Sequence, residues 1–288
     1  MALYISRDNI PQDGVERVTA APVPAGELPV AREQPSSGLF AEVLRDIARG
    51  GLAGLLTGLL IAGIGGRIVM RLAALSVPEA AGQFTENGNR IGDITTSGSV
   101  GLILTGGLFF GLLGATIWVV VSPWIPTAGW RRTIVAMPIA VALTGGAVVQ
   151  GRNSDFRTLE HDVATVVLLL MLVAVAGASI SFFDGWLDRR LPRPGTRPIA
   201  DGIYLLLAIS GGGLIFPIVL ASYLGEETVL GLAIAGVGIA TLAFWRLRYR
   251  GESPRRRLNL AGRGSLLIAV GFGFLAIAPD VGTALGWR

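Results

Sequence analysis

Cysteine is missing from this 288-residue chain, and histidine occurs only once, as His161. Without cysteine the protein can form no disulfide bond, no thiolate nucleophile and no thiolate metal site. A single histidine also excludes any centre built on two imidazoles. These absences remove thiol catalysis and the commonest zinc sites from consideration.

Charge is also scarce, because charged residues make up 15% of the chain and hydrophobic residues 51%. Soluble domains usually carry about 25% charged residues. Lysine is absent, so all 24 basic residues are arginine. Together with a mean hydropathy of +0.61 and 41 glycines, this composition predicts an integral membrane protein.

The pattern along the chain predicts a tail followed by an all-α helix bundle. Residues 1–40 contain several prolines and scattered charges without apolar periodicity, so we expect a retained, disordered cytoplasmic tail. Residues 41–288 hold seven apolar runs, each compatible with a membrane span of about 20 residues. The runs lie near residues 48–70, 98–121, 132–151, 163–183, 201–222, 228–245 and 264–279.

Arginine is distributed unequally between the two sides of this predicted bundle. The side that holds the N-terminus carries 18 of the 24 arginines, and the opposite side carries six. Because cytoplasmic loops are enriched in basic residues, we expect a cytoplasmic N-terminus and an external C-terminus in a bacterial inner membrane. Tryptophan favours the same topology, since indole rings prefer the interface. Five of the six tryptophans fall at the inner boundary: Trp118, Trp124, Trp130, Trp186 and Trp245.

Small residues recur at every fourth position of the first predicted span, and the second span repeats the pattern. In lipid, helices associate through close packing, and small residues let two backbones approach each other. We therefore expect the first two spans to pack through these faces. The residues are Gly50, Gly54, Gly58, Ala62 and Gly66 in the first span, and Gly107 and Gly111 in the second.

The motif Leu-Thr-Gly-Gly occurs twice, at residues 104–107 and 143–146. The two spans run in opposite directions, yet both motifs fall in the outer half of the predicted membrane. This band of small residues predicts either close helix packing or a small cavity open to the outside. The candidate lining residues are Thr105, Gly106, Gly107, Thr144, Gly145, Gly146 and Ser210.

Two arginines one helical turn apart, Arg67 and Arg71, end the first span on the side where arginine is disfavoured. One interpretation is that both extend to the outer lipid headgroups. The other is that they pair with Glu86 and Asp93 of the first outer loop. That ion pair would hold the loop over the outer half of the bundle.

The two predicted outer loops contain oxygen and nitrogen ligands but no recognisable metal motif. The acidic first loop does not fit the twelve-residue calcium pattern. In the second loop, the Glu-His-Asp run at residues 160–162 consists of chain neighbours, whose side chains point in different directions. We expect this run to be a helix start, with acidic residues near the N-terminus of the fourth span.

Six arginines crowd the predicted inner loop before the last span. Such a cluster can determine topology, attract anionic lipid by about 1 kcal/mol per residue, or bind a soluble partner. The six residues are Arg246, Arg248, Arg250, Arg255, Arg256 and Arg257.

No ionisable residue lies at mid-depth of any predicted span, whereas ion-coupled pumps normally carry one. No serine or threonine at depth stands beside a base. The sequence therefore assigns no catalytic residue, metal or cofactor, and it favours a protein that is not an enzyme. We expect an accessory or structural component that packs against lipids, other membrane subunits or its own copies, without nucleic acid. The alternative is a channel or transporter for a neutral or weakly polar small solute, with a cavity in the outer half of the membrane.

Overall fold

The computed structural model describes residues 37–84, 90–92, 96–101, 103, 107–125, 128–150, 153–159, 161–192, 198–208, 228–249 and 256–287. Within these ranges the chain is helical, apart from turns and one isolated bridge between Phe84 and Arg90. The predicted all-α class is therefore confirmed for the described chain. Nearly all of the predicted tail, residues 1–36, lies outside it, and the first helix begins at Ser37.

The helices follow the predicted apolar runs but extend beyond several of them. A π-helical segment, Gly58–Gly65, joins the first two α-helices, and short 3₁₀ turns lie at Pro78–Ala80 and Ser122–Trp124. The α-helices are α1 (Ser37–Thr57), α2 (Gly66–Ser76), α3 (Thr96–Gly101), α4 (Leu108–Val121), α5 (Trp130–Val148), α6 (Ser154–Thr158), α7 (Val163–Arg190), α8 (Pro198–Ala208), α9 (Thr228–Tyr249) and α10 (Arg256–Ala284).

By length and composition, four helical stretches of the described chain can cross a membrane: Glu42–Ser76, Trp130–Val148, Val163–Arg190 and Arg256–Ala284. Shorter apolar helices cover Leu108–Trp124 and Ile234–Leu247. The expectation of membrane-spanning helices is confirmed to this extent. Most of the fifth predicted span, residues 201–222, lies outside the described residues, so the count of seven stays a prediction.

Helix α7 packs against α1, α2 and α5, while α10 packs against α5 and α9. Glycine lies where these helices approach each other most closely. A Cβ atom on Gly177 of α7 would collide with the backbone of Ala136 in α5. A Cβ on Gly273 of α10 would collide in the same way with Ala142. The abundance of glycine thus allows backbone contact in the middle of the bundle.

The two ends of α7 define the two ends of the bundle. Near its C-terminal end, Asp184 pairs with Arg49 of α1. Just before its first residue, Asp162 accepts a hydrogen bond from Ser76, the last residue of α2. At 1.5 Å per residue, Asp162 and Asp184 are roughly 33 Å apart. We call these the arginine end and the loop end.

Helix α7 is longer than the predicted fourth span, which ended at residue 183. The apolar run stops there, but the helix continues to Arg190. Asp184 consequently lies within the helix and is only 2% exposed. This buried ionisable group lies at the end of the helix and not at mid-depth of the predicted span, and arginines from α1 and α5 neutralise it.

Candidate functional site

A cavity of about 380 Å³ lies between α1, α2, α4, α5 and α7. Its wall is mostly apolar, with side chains such as Val69, Phe110, Ile139, Leu172 and Val173. Ligand sites in proteins typically enclose about 300–1,000 Å³ and have mainly apolar walls with a few polar groups. The cavity has the size and lining of such a site.

One of the polar groups in the wall is the hydroxyl of Thr57, at the end of α1. Thr57 is 5% exposed, and its Oγ1 atom has no hydrogen-bond partner in the described chain. Thr116, Thr144 and Thr241 behave differently, because each donates to the backbone carbonyl four residues earlier. The hydroxyl of Thr57 is therefore left without the partner that helical threonines elsewhere in the bundle use.

Thr57 directly precedes the π-helical segment, which contributes Gly58 and Ala62 to the cavity wall. A π-helix pairs each amide with a carbonyl five residues earlier, and such segments are rare and frequently occur at functional sites. Three glycines in GLLIAGIG weaken the regular α-helix here. The change in helical pitch therefore occurs beside the cavity.

The predicted small-residue faces of the first two spans lie against each other. A Cβ on Gly54 would overlap the backbone of Ala115, and one on Gly58 would overlap the backbone of Gly107 and Gly111. A Cβ on Gly50 would meet the side chain of Val119. The remaining two members of the predicted face, Ala62 and Gly66, line the cavity instead.

Of the predicted lining residues, only Thr144 lines this cavity among those that the structure describes. Gly107 packs against Gly58. Gly145 follows Thr144 but is rotated around α5, and a Cβ there would meet Ile277 of α10. Three further members, Thr105, Gly106 and Ser210, lie outside the described residues.

The last predicted lining residue, Gly146, has no atom within 4 Å of an added Cβ and does not line the cavity. Successive residues of a helix face directions about 100° apart, at 3.6 residues per turn. Three adjacent residues such as Thr144, Gly145 and Gly146 therefore cannot all face one cavity.

At the loop end, Arg71 donates from Nη1 to the carbonyl of Gly92 in the first outer loop. Arg67 differs, because its Nε and Nη2 atoms are buried and have no hydrogen-bond partner in the described chain. The predicted partners Glu86 and Asp93 lie outside the described residues. The ion pair stays a prediction, although a backbone contact joins Arg71 to the loop.

Asp162 caps the N-terminus of α7. Its carboxylate accepts hydrogen bonds from the Ala164 and Thr165 amides and from the hydroxyls of Ser76 and Thr165. Burial alone would raise the pKa of Asp162, but these hydrogen bonds outweigh burial and hold the pKa below its ordinary value. The preceding His161 has a φ of +58° and pairs through Nδ1 with the carbonyl of Ala284. Both residues of the run join elements of the loop end.

The arginine end contains a network of ion pairs between α1, α5 and α7. Asp184 Oδ1 lies 2.7 Å from Arg49 Nε, and its Oδ2 lies 3.2 Å from Arg132 Nη1. Asp188 Oδ1 lies 3.0 Å from Arg45 Nη1 and 2.6 Å from Arg49 Nη1. With Asp46, which pairs with Arg49, the described part of the network has three positive and three negative side chains. Its charges therefore balance.

Trp118 stands between the cavity and this ion-pair network. The residue lines the cavity, and the Arg132 guanidinium lies 4.9 Å from the centroid of its ring. Its Nε1 atom is buried and has no partner in the described chain. The arginine end of the cavity is therefore bounded by an indole ring that contacts a charged network.

The sequence contained a signal for this network. Arg45 and Arg49 are four residues apart, as are Asp184 and Asp188, so each pair occupies one helix face. Two such faces of opposite charge can match across a helix contact. The predicted span at residues 163–183 ends just before Asp184, so hydropathy alone does not place this face inside the bundle.

The predicted basic cluster lies partly within the structure. Arg246 near the end of α9 and Arg256 and Arg257 at the start of α10 are exposed. The side chain of Arg248, together with Arg250 and Arg255, lies outside the described part. Contact of this cluster with anionic lipid or a partner stays a prediction.

No known family model matches the chain, and neither a curated protein nor a solved structure is significantly similar to it.

Proposed function

We propose that this protein is a channel or transporter that holds a neutral or weakly polar solute inside its helix bundle. The observation that carries the proposal is the cavity of about 380 Å³ with its mainly apolar wall. Among the described residues that line the cavity, Asp155 alone carries a charged side chain, and the rest of the wall favours a solute without net charge.

The proposal includes seven spans in a bacterial inner membrane, with the N-terminus cytoplasmic and the C-terminus outside. The ends of two helices support an odd number of crossings. Arg49 of α1 belongs to the arginine end, whereas Ala284 at the end of α10 contacts His161 at the loop end. The arginine excess on the side of the N-terminus supports a cytoplasmic arginine end.

Reporter fusions test this topology. We expect an enzyme active only outside the cytoplasm to be active when fused after residue 288 and silent when inserted near residue 252. The reverse pattern would contradict the orientation. Activity at both positions or at neither would contradict a membrane crossing by the last predicted span.

The absence of cysteine allows a direct test of the cavity. Ala140 lines the cavity, and we expect Ala140→Cys to react with a neutral, membrane-impermeant maleimide from either face of oriented membrane vesicles. Ala142 provides the control on the same helix, since it is 4% exposed and packs against Gly273. Ala142→Cys should stay unreactive.

A second substitution tests whether the maleimide reaches Ala140→Cys through the cavity. A Cβ on Gly114 would meet only Ile180, at 4.0 Å, and Gly114 lines the cavity. Gly114→Leu should therefore fill the space and slow the labelling of Ala140→Cys from both faces. If Ala140→Cys reacts from neither face, or from one face alone, the protein does not pass a solute through this cavity.

A second candidate is the accessory component of a membrane complex, favoured by one face of α10. Along this face Gly264, Gly271 and Gly282 have no atom within 4 Å of an added Cβ, while Ile268 and Leu275 between them are exposed. Small residues alternating with large ones are typical of faces on which membrane helices associate. This face is available for another subunit or a second copy.

Detergent-solubilised protein tests the second candidate. A stoichiometric partner or a homo-oligomer that Gly271→Leu disperses would favour the accessory function. The matched variant Gly51→Leu, on an open face of α1, should leave the assembly intact. A monomer for both variants and the unmodified chain would argue against association through α10.

A further inference from the structure

The cavity is elongated. Its wall includes residues of α7 from Thr165 to Ile180, a stretch that spans roughly 22 Å at 1.5 Å per residue. A mainly apolar wall over this length matches the shape and the chemistry of an extended hydrocarbon chain.

The cavity also reaches the side surface of the bundle, between the two ends. Met70 of α2, Phe110 of α4 and Ala147 of α5 line it and are exposed at the surface. These residues belong to helices that are apolar enough to lie in lipid. A molecule dissolved in the bilayer can therefore enter from the side without crossing water.

Two buried polar atoms in the wall have no partner in the described chain, namely Thr57 Oγ1 and Trp118 Nε1. A buried water normally makes two to four hydrogen bonds. One water cannot bridge these atoms, because Trp118 contacts the position of Gly50, two helical turns or roughly 10 Å from Thr57. A ligand with its own oxygen atom can therefore form a hydrogen bond with the hydroxyl of Thr57.

We propose that the solute is a long-chain amphiphile, with one hydrocarbon chain along the cavity and an uncharged hydroxyl or carbonyl group bonded to Thr57. The inference rests on the proposed function, since it names the chemical class of the solute that occupies the same cavity. The chain enters through the flank beside Met70 and Phe110. The polar group lies in the deeper half, between Thr57 and Trp118.

Photolabelling in membrane vesicles tests the proposal with three defined probes. The first is hexadecanol with a diazirine in its chain, and the second is the matching diazirine hexadecane without the hydroxyl. The third is phosphatidylcholine with the same diazirine in one chain. After irradiation, mass spectrometry of peptides maps the labelled residues. We expect the alcohol to label inward-facing residues such as Ile117 and Leu172, and excess unlabelled hexadecanol to compete.

Two variants test separately how the hydrocarbon chain and the hydroxyl group of the probe contribute to labelling. Thr57→Val keeps the shape of the side chain but removes the hydrogen-bonding group, so cavity labelling by the alcohol should fall about fivefold, as one lost hydrogen bond predicts. Labelling by the hydrocarbon should stay unchanged. Gly114→Leu should abolish cavity labelling by both probes, whereas Gly51→Leu should leave it intact.

The outcomes distinguish this inference from the proposed function. Labelling of the same residues by phosphatidylcholine would identify a membrane lipid as the source of the chain, and labelling by the alcohol alone would identify a free amphiphile. Labelling confined to lipid-facing residues such as Val175 and Leu267, or an unchanged signal in Thr57→Val, would overturn the inference. If Ala140→Cys nevertheless reacts from both faces, a different neutral solute uses the cavity and the proposed function stands.

Discussion

Arginine side chains have different partners at the two ends of the bundle. At the arginine end, Arg49 and Arg132 are bound to the same buried carboxylate of Asp184. At the loop end, Arg71 bonds to a backbone carbonyl, and two buried nitrogen atoms of Arg67 have no partner in the described chain. Replacing an arginine is therefore expected to change the free energy of unfolding differently at the two ends of the bundle.

The difference follows from the cost of removing charge from water. A buried ion pair gains little over a well-packed apolar pair, but removing one partner typically costs about 3–5 kcal/mol. A buried donor without a partner already carries its desolvation cost in the folded state. Replacing it by an apolar side chain of similar shape can therefore be neutral or stabilising.

The largest expected effect is at Asp184. We expect Asp184→Asn to lower the free energy of unfolding by about 3 kcal/mol, because Arg49 and Arg132 would face each other without a shared carboxylate. Denaturant titration in detergent measures the loss. The control is Asp188→Asn, whose carboxylate side chain is 51% exposed and should contribute about 1 kcal/mol or less. Equal losses for both variants would contradict the special role of the buried aspartate.

The next effect concerns the contact that holds α1 against α4 between the two ends. Gly58→Leu introduces a side chain where even a Cβ overlaps the backbone of Gly107 and Gly111. We expect a loss of about 1–3 kcal/mol, the usual cost of overpacking. Gly51→Leu on the open face of α1 should be close to neutral. A Gly58→Leu protein as stable as Gly51→Leu would show that the interface tolerates separation.

The sequence predicted the helices well because membrane spans are long apolar runs and glycine spacing is regular. The pairing of α1 with α4 was expected from residues four apart, and Gly54 and Gly58 do contact α4. The network at the arginine end was not expected, since span prediction by hydropathy treats charge as the end of a helix. Asp184 lies one residue beyond such an end and is buried only because α1 and α5 supply arginines.

The band of small residues left close helix packing and a cavity open to the outside as alternatives. Thr144 lines the cavity of the bundle, whereas Gly145 faces α10. The apolar side chains of α7 that form much of its wall carry no sequence signal that separates them from lipid-facing neighbours. Rotation of each helix about its axis decides which residues face inward, and a nearly uniform apolar composition such as that of α7 does not encode this rotation.

A third prediction compares the two ends directly. We expect Arg67→Met to change the free energy of unfolding by no more than about 1 kcal/mol, because the lost guanidinium nitrogens have no hydrogen-bond partner in the described chain. Arg49→Met should cost about 3 kcal/mol, since it leaves Asp184 short of a partner. Denaturant titrations of the two variants provide the comparison. A large loss for Arg67→Met would instead indicate a carboxylate partner, such as the predicted Glu86 or Asp93.

The smallest expected effect is at Asp162, where the loop end holds a charge without an arginine. Its pKa lies below the ordinary value in the folded protein, so the ionised carboxylate stabilises folding above the unfolded pKa of about 3.9. This contribution is lost as the pH falls through the lower, folded pKa. We expect Asp162→Asn to cost about 0.5 kcal/mol at pH 7, because asparagine still caps α7 but lacks the charge that favours a helix N-terminus. Unfolding titrations from pH 7 to pH 3 should show this difference shrinking below about pH 4.

Exposed Glu79 lies at the same end, and Glu79→Gln controls for the change in net charge. A difference for Asp162→Asn that stays constant down to pH 3 would mean that shape, and not charge, makes aspartate the cap.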